Sequence, residues 1–231
     1  MPVITLCLPS FDPPTRYMSS FLKRYILPRI ITDLSLRSIA LYRCVDQRMP
    51  FQFSTRYSNV IIGTGHGDSA TLTGQFMNML WETGNYDPAE CEGKIIKFIS
   101  CETGAELGPD LIRSGARAFQ GYTRIFAFYA ELNLRHLLLP WLDSTARKFL
   151  MPPIESTMAL LDGKTNEEVY DIEIRAWQHQ IDTEDDPEIR TILEHNRNSL
   201  VMMGDPDARV SSGNAPLRQG GCSCRGENKT L

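Results

Sequence analysis

Two stretches decide the fold: NVIIGTGHGD at residues 59–68 and KIIKFISCETG at residues 94–104. Each is an apolar run that stops at small residues, without the polar alternation of a strand that has one wet face. Such runs suit parallel strands covered on both sides. Three more β-rich runs accompany them, at Val3 to Leu8, Ser38 to Val45 and Ala118 to Thr123. In a parallel sheet all strand C-termini fall on one edge, where open α/β sheets bind their ligands. The two quoted stretches therefore deliver His66 and Cys101 into one crevice.

Working outward, Asp12-Pro13 opens a helix that places Tyr17, Phe21, Leu22 and Tyr25 on one face and runs towards Pro28. Leu107, Leu111 and Ile112 give a short helix, with Gly115 as its stop. Beyond the strand at 118–123 the pattern turns helical, over Arg124 to Leu139, Thr165 to Gln180 and Pro187 to Met202. Thr165 and Glu168 form a capping box ahead of the stripe Val169, Ile172 and Ala176. Asp186-Pro187 opens the last helix, and Gly204 with Pro206 closes it. The expected fold class is α/β, a three-layer α/β/α sandwich on a mostly parallel sheet, with a helical C-terminal half.

With 231 residues, the chain has room for one substantial core and no second domain of normal size. That domain is expected over 1–210. Residues 211–231, rich in Gly, Ser and Asn, are expected to form a disordered C-terminal tail, because they carry too little apolar surface to offset their ordering entropy. A net charge of −4 and the lack of any basic run argue against nucleic acid as a partner. No stretch of 18 apolar residues suggests a membrane span, and the N-terminus has no basic n-region. The expected location is cytoplasmic. The six cysteines, at 7, 44, 91, 101, 222 and 224, are expected to be reduced thiols.

A thiol and an imidazole sharing a crevice have a direct chemical use. The imidazole takes the thiol proton and returns it to a leaving amine, while the thiolate attacks a carbonyl carbon. Gly67 lets the backbone approach closely, and its N–H with that of Cys101 would form an oxyanion hole, each donor worth roughly 3 kcal/mol. Asp68 and Glu102 flank the pair and are candidate substrate-binding groups for a basic side chain, or else loop carboxylates facing water. Tyr122 and Thr123, at the end of the next strand, stand on the same edge and are candidates to shape the same pocket.

An apolar block followed by His-Gly, then an apolar block followed by a small residue and Cys, resembles the caspase-like (clan CD) cysteine peptidases. The blocks here are VIIGTGHG and KIIKFISC. Ser100-Cys101-Glu102-Thr103-Gly104 is similar to the CHAT-type pattern around the nucleophile, and LVMMGDP at 200–206 to the end of a gingipain-type domain. The resemblance implies a caspase-haemoglobinase-like fold and a cysteine endopeptidase with a His66/Cys101 dyad. It also implies an oxyanion hole at Gly67 and Cys101, a protein or peptide substrate bound as an extended strand, and no cofactor. Ile99-Ser100-Cys101 departs from the Gln-Ala-Cys of true caspases, so cleavage after aspartate is not implied. A catalytically inactive peptide-binding module of the same fold is the alternative.

Other motifs fail on their spacing. In GTGHGD the third glycine of a dinucleotide loop would fall at Asp68, and Gly163-Lys164-Thr165 lacks the earlier glycine of a phosphate loop, since Met158 stands there. Cys222 and Cys224 supply two soft ligands where a structural zinc needs four, so no metal is expected.

Overall fold

The computed structural model describes residues 1–42, 45–131 and 133–210. The expected tail at 211–231, with Cys222 and Cys224, lies outside the described residues. In chain order the elements begin with β1 (Val3–Leu8), α1 (Pro13–Phe21), a π-helical turn at Leu22–Ile26, α2 (Leu27–Thr32), β2 (Arg37–Tyr42) and α3 (Arg48–Tyr57). Next come β3 (Val60–Thr64) and a small sheet of β4 (His66–Gly67), β5 (Thr71–Thr73) and β6 (Met79–Glu82). β7 (Ile95–Ile99), α4 (Leu107–Arg113), β8 (Ala118–Tyr122), α5 (Leu134–Leu138) and α6 (Ser144–Leu161) follow. The chain closes with α7 (Asn166–Asp182), α8 (Pro187–Ser199) and β9 (Leu200–Gly204).

The main sheet has the order β2-β1-β3-β7-β8-β9, parallel throughout except for β9, which runs antiparallel on β8. The alternation of side chains along its strands sorts the core into two layers. Ile4, Leu6, Val60, Ile62 and Ile99 face one cluster with Tyr17 and Phe21 of α1, Phe149 of α6 and Trp177 of α7. Cys7, Ile61, Ile96, Phe98 and Phe119 face the other, with Phe51 of α3, Leu111 of α4 and Trp81 of β6. The fold is a three-layer α/β/α sandwich.

Lys97 interrupts the apolar face of β7, and Glu173 of α7 answers it. The two are 2.6 Å apart, 5% and 0% exposed at their side chains, and Gln120 and Ser156 accept from Lys97 and donate to Glu173 respectively. Tyr122 also donates to Glu173. The network fixes α7 on the sheet, because a buried charge left unpaired is far costlier than a paired one.

Three local expectations differ from the structure, and one helix was not foreseen. The first helix does not end near Pro28: the π turn, where the Leu27 N–H reaches the Leu22 carbonyl, seats Pro28 in the first turn of α2, where a missing N–H breaks no bond. The helix expected over 124–139 shrinks to α5, and residues 125–130 have no regular secondary structure. α6 carries Pro152 and Pro153 in its interior, the pair that hides this helix from a reading of the sequence. The segment expected to continue α8 to Met202 instead becomes β9, which covers the edge that β8 would leave open. Among the described residues no helix is long and apolar enough to cross a membrane.

Candidate active site

β3 and β7 are parallel neighbours whose register ends at Thr64 opposite Ile99. His66 stands two residues past Thr64, and Cys101 two residues past Ile99. Neighbouring strands lie about 4.8 Å apart, so equal steps beyond a registered pair carry both side chains to adjoining places on the C-terminal edge. Both line one cleft of about 640 Å³.

His66 does not hang from a free loop. It pairs with Thr73 in β4, and Gly67 pairs with Leu72. The Asp68 N–H donates to the Thr71 carbonyl at 3.2 Å, which makes 68/71 a bonded pair. By the alternation of an antiparallel ladder, 67/72 is then a non-bonded pair, and the Gly67 N–H is directed away from β5. The cysteine loop packs against the Cα of Gly67. A Cβ built at Gly67 would sit 2.6 Å from Ser100 Oγ and 2.8 Å from the Cys101 carbonyl oxygen. Only glycine permits this approach. Gly65 is under the same constraint, since a Cβ there would meet the Thr73 carbonyl oxygen at 2.3 Å.

The residue after Cys101 is strained. Glu102 has φ of 54°, and the Thr103 N–H turns back to the Cys101 carbonyl at 2.6 Å. A non-glycine side chain in the left-handed region persists where surroundings over-determine it, and such residues cluster at functional sites. The Gly104 N–H to the Tyr122 carbonyl at 2.8 Å and the Glu102 N–H to the Arg124 carbonyl at 3.0 Å hold the turn in place.

Electrostatics of the two groups differ. Burial pushes the Cys101 thiol above its ordinary value. A backbone hydrogen bond at Phe126 works against that shift, and Glu102 adds to it. Cys101 Sγ lies 3.9 Å from the Phe126 carbonyl oxygen. His66 Nε2 lies 2.5 Å from Asp12 Oδ2, and both side chains are about seven-tenths buried. Burial tends to raise the Asp12 carboxyl, but hydrogen bonds from Thr15 and His66 outweigh it and hold it below the usual carboxylate value.

Asp12 escaped the sequence reading except as a helix cap. The sheet order is what places it at the site: β1 is the neighbour of β3, so a residue soon after β1 reaches the same edge. The cleft wall at Phe126–Ala130 was missed as well. Asn196 of α8 accepts from the Ala127 N–H and donates to its carbonyl, at 3.1 and 2.7 Å. It thereby replaces the helical partners that the composition of 124–139 suggested.

The remaining candidates divide. Asp68 Oδ1 accepts from the Ala70 and Thr71 N–H groups at 2.9 and 2.7 Å, closing the turn between β4 and β5. It does not line the cleft. Tyr122 is 1% exposed, and its hydroxyl is committed to Glu173 in the core beneath. The position in β8 that brings Tyr122 to the right edge also turns its side chain into the α7 layer, so the expected substrate-binding role is corrected. Thr123 donates to the Ser199 carbonyl, and Glu102 is half-buried at the strained turn. Neither lines the cleft. Cys7, Cys91 and Cys101 are free thiols, and among the described residues no group of three or more His, Cys, Asp or Glu side chains is placed to hold a metal ion.

With this geometry in hand, comparison with solved structures gives the arrangement a context. The chain superposes on the complex of Porphyromonas gingivalis RgpB pro- and mature domains with a TM-score of 0.55 at 11% identity, covering 91% of this chain and 48% of that one. The fold is caspase-like. A chain of the Saccharomyces cerevisiae separase–securin complex gives a TM-score of 0.47 at 11% identity, over 88% of this chain and 12% of that one. The present chain thus spans about half the length of the RgpB chain. No protein-family model and no curated protein matches the sequence.

Proposed function

We propose that the protein is a cysteine endopeptidase in which Cys101 is the nucleophile, His66 the general base and Asp12 a positioning residue. The observation that carries this reading is the convergence of His66 and Cys101 on one cleft from registered neighbouring strands, with Gly67 packed against the Cys101 carbonyl. Asp12 engages Nε2 of His66, so Nδ1 is the nitrogen left to receive the thiol proton. The carboxylate then faces the imidazolium that forms and stabilises it.

The sulfur adds to the substrate carbonyl, and the oxygen takes up the negative charge between the N–H groups of Gly67 and Cys101. The amine leaves with the proton from His66, and a thioester remains on Cys101. A water, deprotonated by the same imidazole, hydrolyses it to the free acid and thiol. The elevated thiol suits proton transfer that accompanies attack, in place of a resting thiolate.

The test is a peptide library cleaved by the wild type and by Cys101→Ala. Loss of all cleavage at Cys101→Ala supports the reading, and equal cleavage by the two proteins removes it. The buried, elevated thiol also fits a second reading, a non-catalytic peptide-binding module. That reading requires Cys101 to label no faster with a peptidyl electrophile than Cys7 or Cys91.

A further inference from the structure

The peptidase reading leaves open which side chain the cleft accepts, and the walls of the cleft bear on it. We infer that the site selects an apolar or aromatic side chain on the residue preceding the cleaved bond. This rests on the peptidase reading above and adds to it the substrate class.

Pro14, Tyr17 and Met18 of α1 form one wall, and Phe126, Phe128 and Ala130 form the other. The polar groups, His66, Ser100 and Cys101, gather where the chemistry takes place. Tyr17 is polar only at its hydroxyl, which donates to the Glu131 carbonyl and to Asp143 Oδ2 at 3.2 and 3.3 Å. Its ring is what the cleft receives. A space of this size falls within the ~300–1,000 Å³ of sites that enclose a small molecule, so a large side chain and adjoining backbone fit together.

Glu102, beside Cys101, does not line the cleft, and three further carboxylates near it have other work. Asp12 is held by His66 and Thr15, Asp68 closes its turn, and Asp143 caps α6 while accepting from the Glu131 N–H. Among the described residues, the lining holds no Asp, Glu, Lys or Arg side chain. An arginine or lysine entering here would lose its water and meet no lining carboxylate, and an aspartate would meet no lining lysine or arginine, which disfavours each. A phenylalanine or leucine gains from the same desolvation.

A panel of peptidyl acyloxymethyl ketones that differ only in the residue beside the reactive carbonyl tests this on the purified full chain. In each, the Cys101 thiolate displaces the carboxylate leaving group and forms a thioether, read by mass spectrometry. Phe and Leu members are expected to label Cys101 at least about tenfold faster than Arg and Asp members. Faster labelling by Arg or Asp overturns the specificity and leaves the peptidase reading standing. Labelling by none overturns both. Ala130→Asp, at a half-buried position of the wall, is expected to move the preference about tenfold towards Arg. An unchanged profile in that variant means that another surface does the selecting.

Discussion

One carboxylate of Asp12 serves two masters: Oδ2 meets His66 Nε2 at 2.5 Å, while Oδ1 accepts from the Thr15 N–H at 3.0 Å and so opens α1. Orientation of the imidazole and capping of the helix are therefore separable by substitution. Asp12→Asn keeps an oxygen for the cap and loses the charge facing His66. It is expected to leave stability within about 0.5 kcal/mol while lowering kcat/KM by roughly 10- to 100-fold. Asp12→Ala should lose similar activity and, in addition, about 1 kcal/mol of stability in urea unfolding. Equal activity in Asp12→Asn and wild type would remove the positioning role.

Gly67→Ala tests the contact between the histidine and cysteine loops. The added methyl meets Ser100 Oγ and the Cys101 carbonyl at well under van der Waals distance, so the loops must separate. The expected cost is about 1–3 kcal/mol of stability. On the proposed mechanism, displacing the Gly67 N–H should in addition lower kcat by roughly 10²-fold or more. Single-turnover measurement of acylation by wild type and variant separates the two effects.

Glu173→Gln leaves Lys97 buried against a neutral amide. Loss of about 3–5 kcal/mol is expected, and Lys97→Met combined with Glu173→Leu should recover most of it. Burial tends to raise the Glu173 carboxyl, but Lys97, Ser156 and Tyr122 outweigh it and hold it below the ordinary value. The stability it contributes is therefore present above the unfolded pKa of about 4.3 and is lost as pH falls through the lower folded value. Acid unfolding followed by circular dichroism should show this loss in the wild type and not in the double variant.

Asp46 shifts in the opposite direction. It is fully buried, and among the described residues neither carboxylate oxygen has a hydrogen-bond partner. Burial lifts its pKa to about 8, against the opposing charge of Lys23. From about pH 4 to pH 8 the folded state holds a proton that the unfolded chain releases, so stability falls as pH rises through that window. The loss between pH 5 and pH 8 is on the order of 3 kcal/mol. Asp46→Asn should flatten that decline in chemical denaturation at the two pH values, and an unchanged slope would assign the pH dependence elsewhere.

The convergence of His66 and Cys101 on one cleft was legible because their two strands are apolar on both faces and end in glycine, histidine and cysteine. β1, β3, β7 and β8 emerge within a residue or so of the runs that suggested them. Asp12 and Asn196 were not legible as site residues, because each acts through a distant partner, 54 and 69 positions away. Local pattern carries no such information. Phe126, Ala127, Phe128, Tyr129 and Ala130 read as helix by composition, yet Asn196 captures both backbone groups of Ala127 and the run has no regular secondary structure. The same long-range term turned LVMMG into a strand, since β8 offered it a ladder.

The rim made by Ala127 is secured differently from the rest of the molecule. A neighbouring strand would hold it with a row of bonds that fail together; here a side-chain amide from α8 grips both backbone polar groups of one residue. Such a clasp releases without melting anything else, so the mouth should breathe at a cost well below that of global unfolding. On the peptidase proposal, such breathing would ease the entry of a polypeptide into a hollow that already has room for a large side chain and the backbone beside it. In hydrogen exchange, the amide of Ala127 should therefore exchange well before those of β3 and β7, and Asn196→Ala should quicken that exchange further.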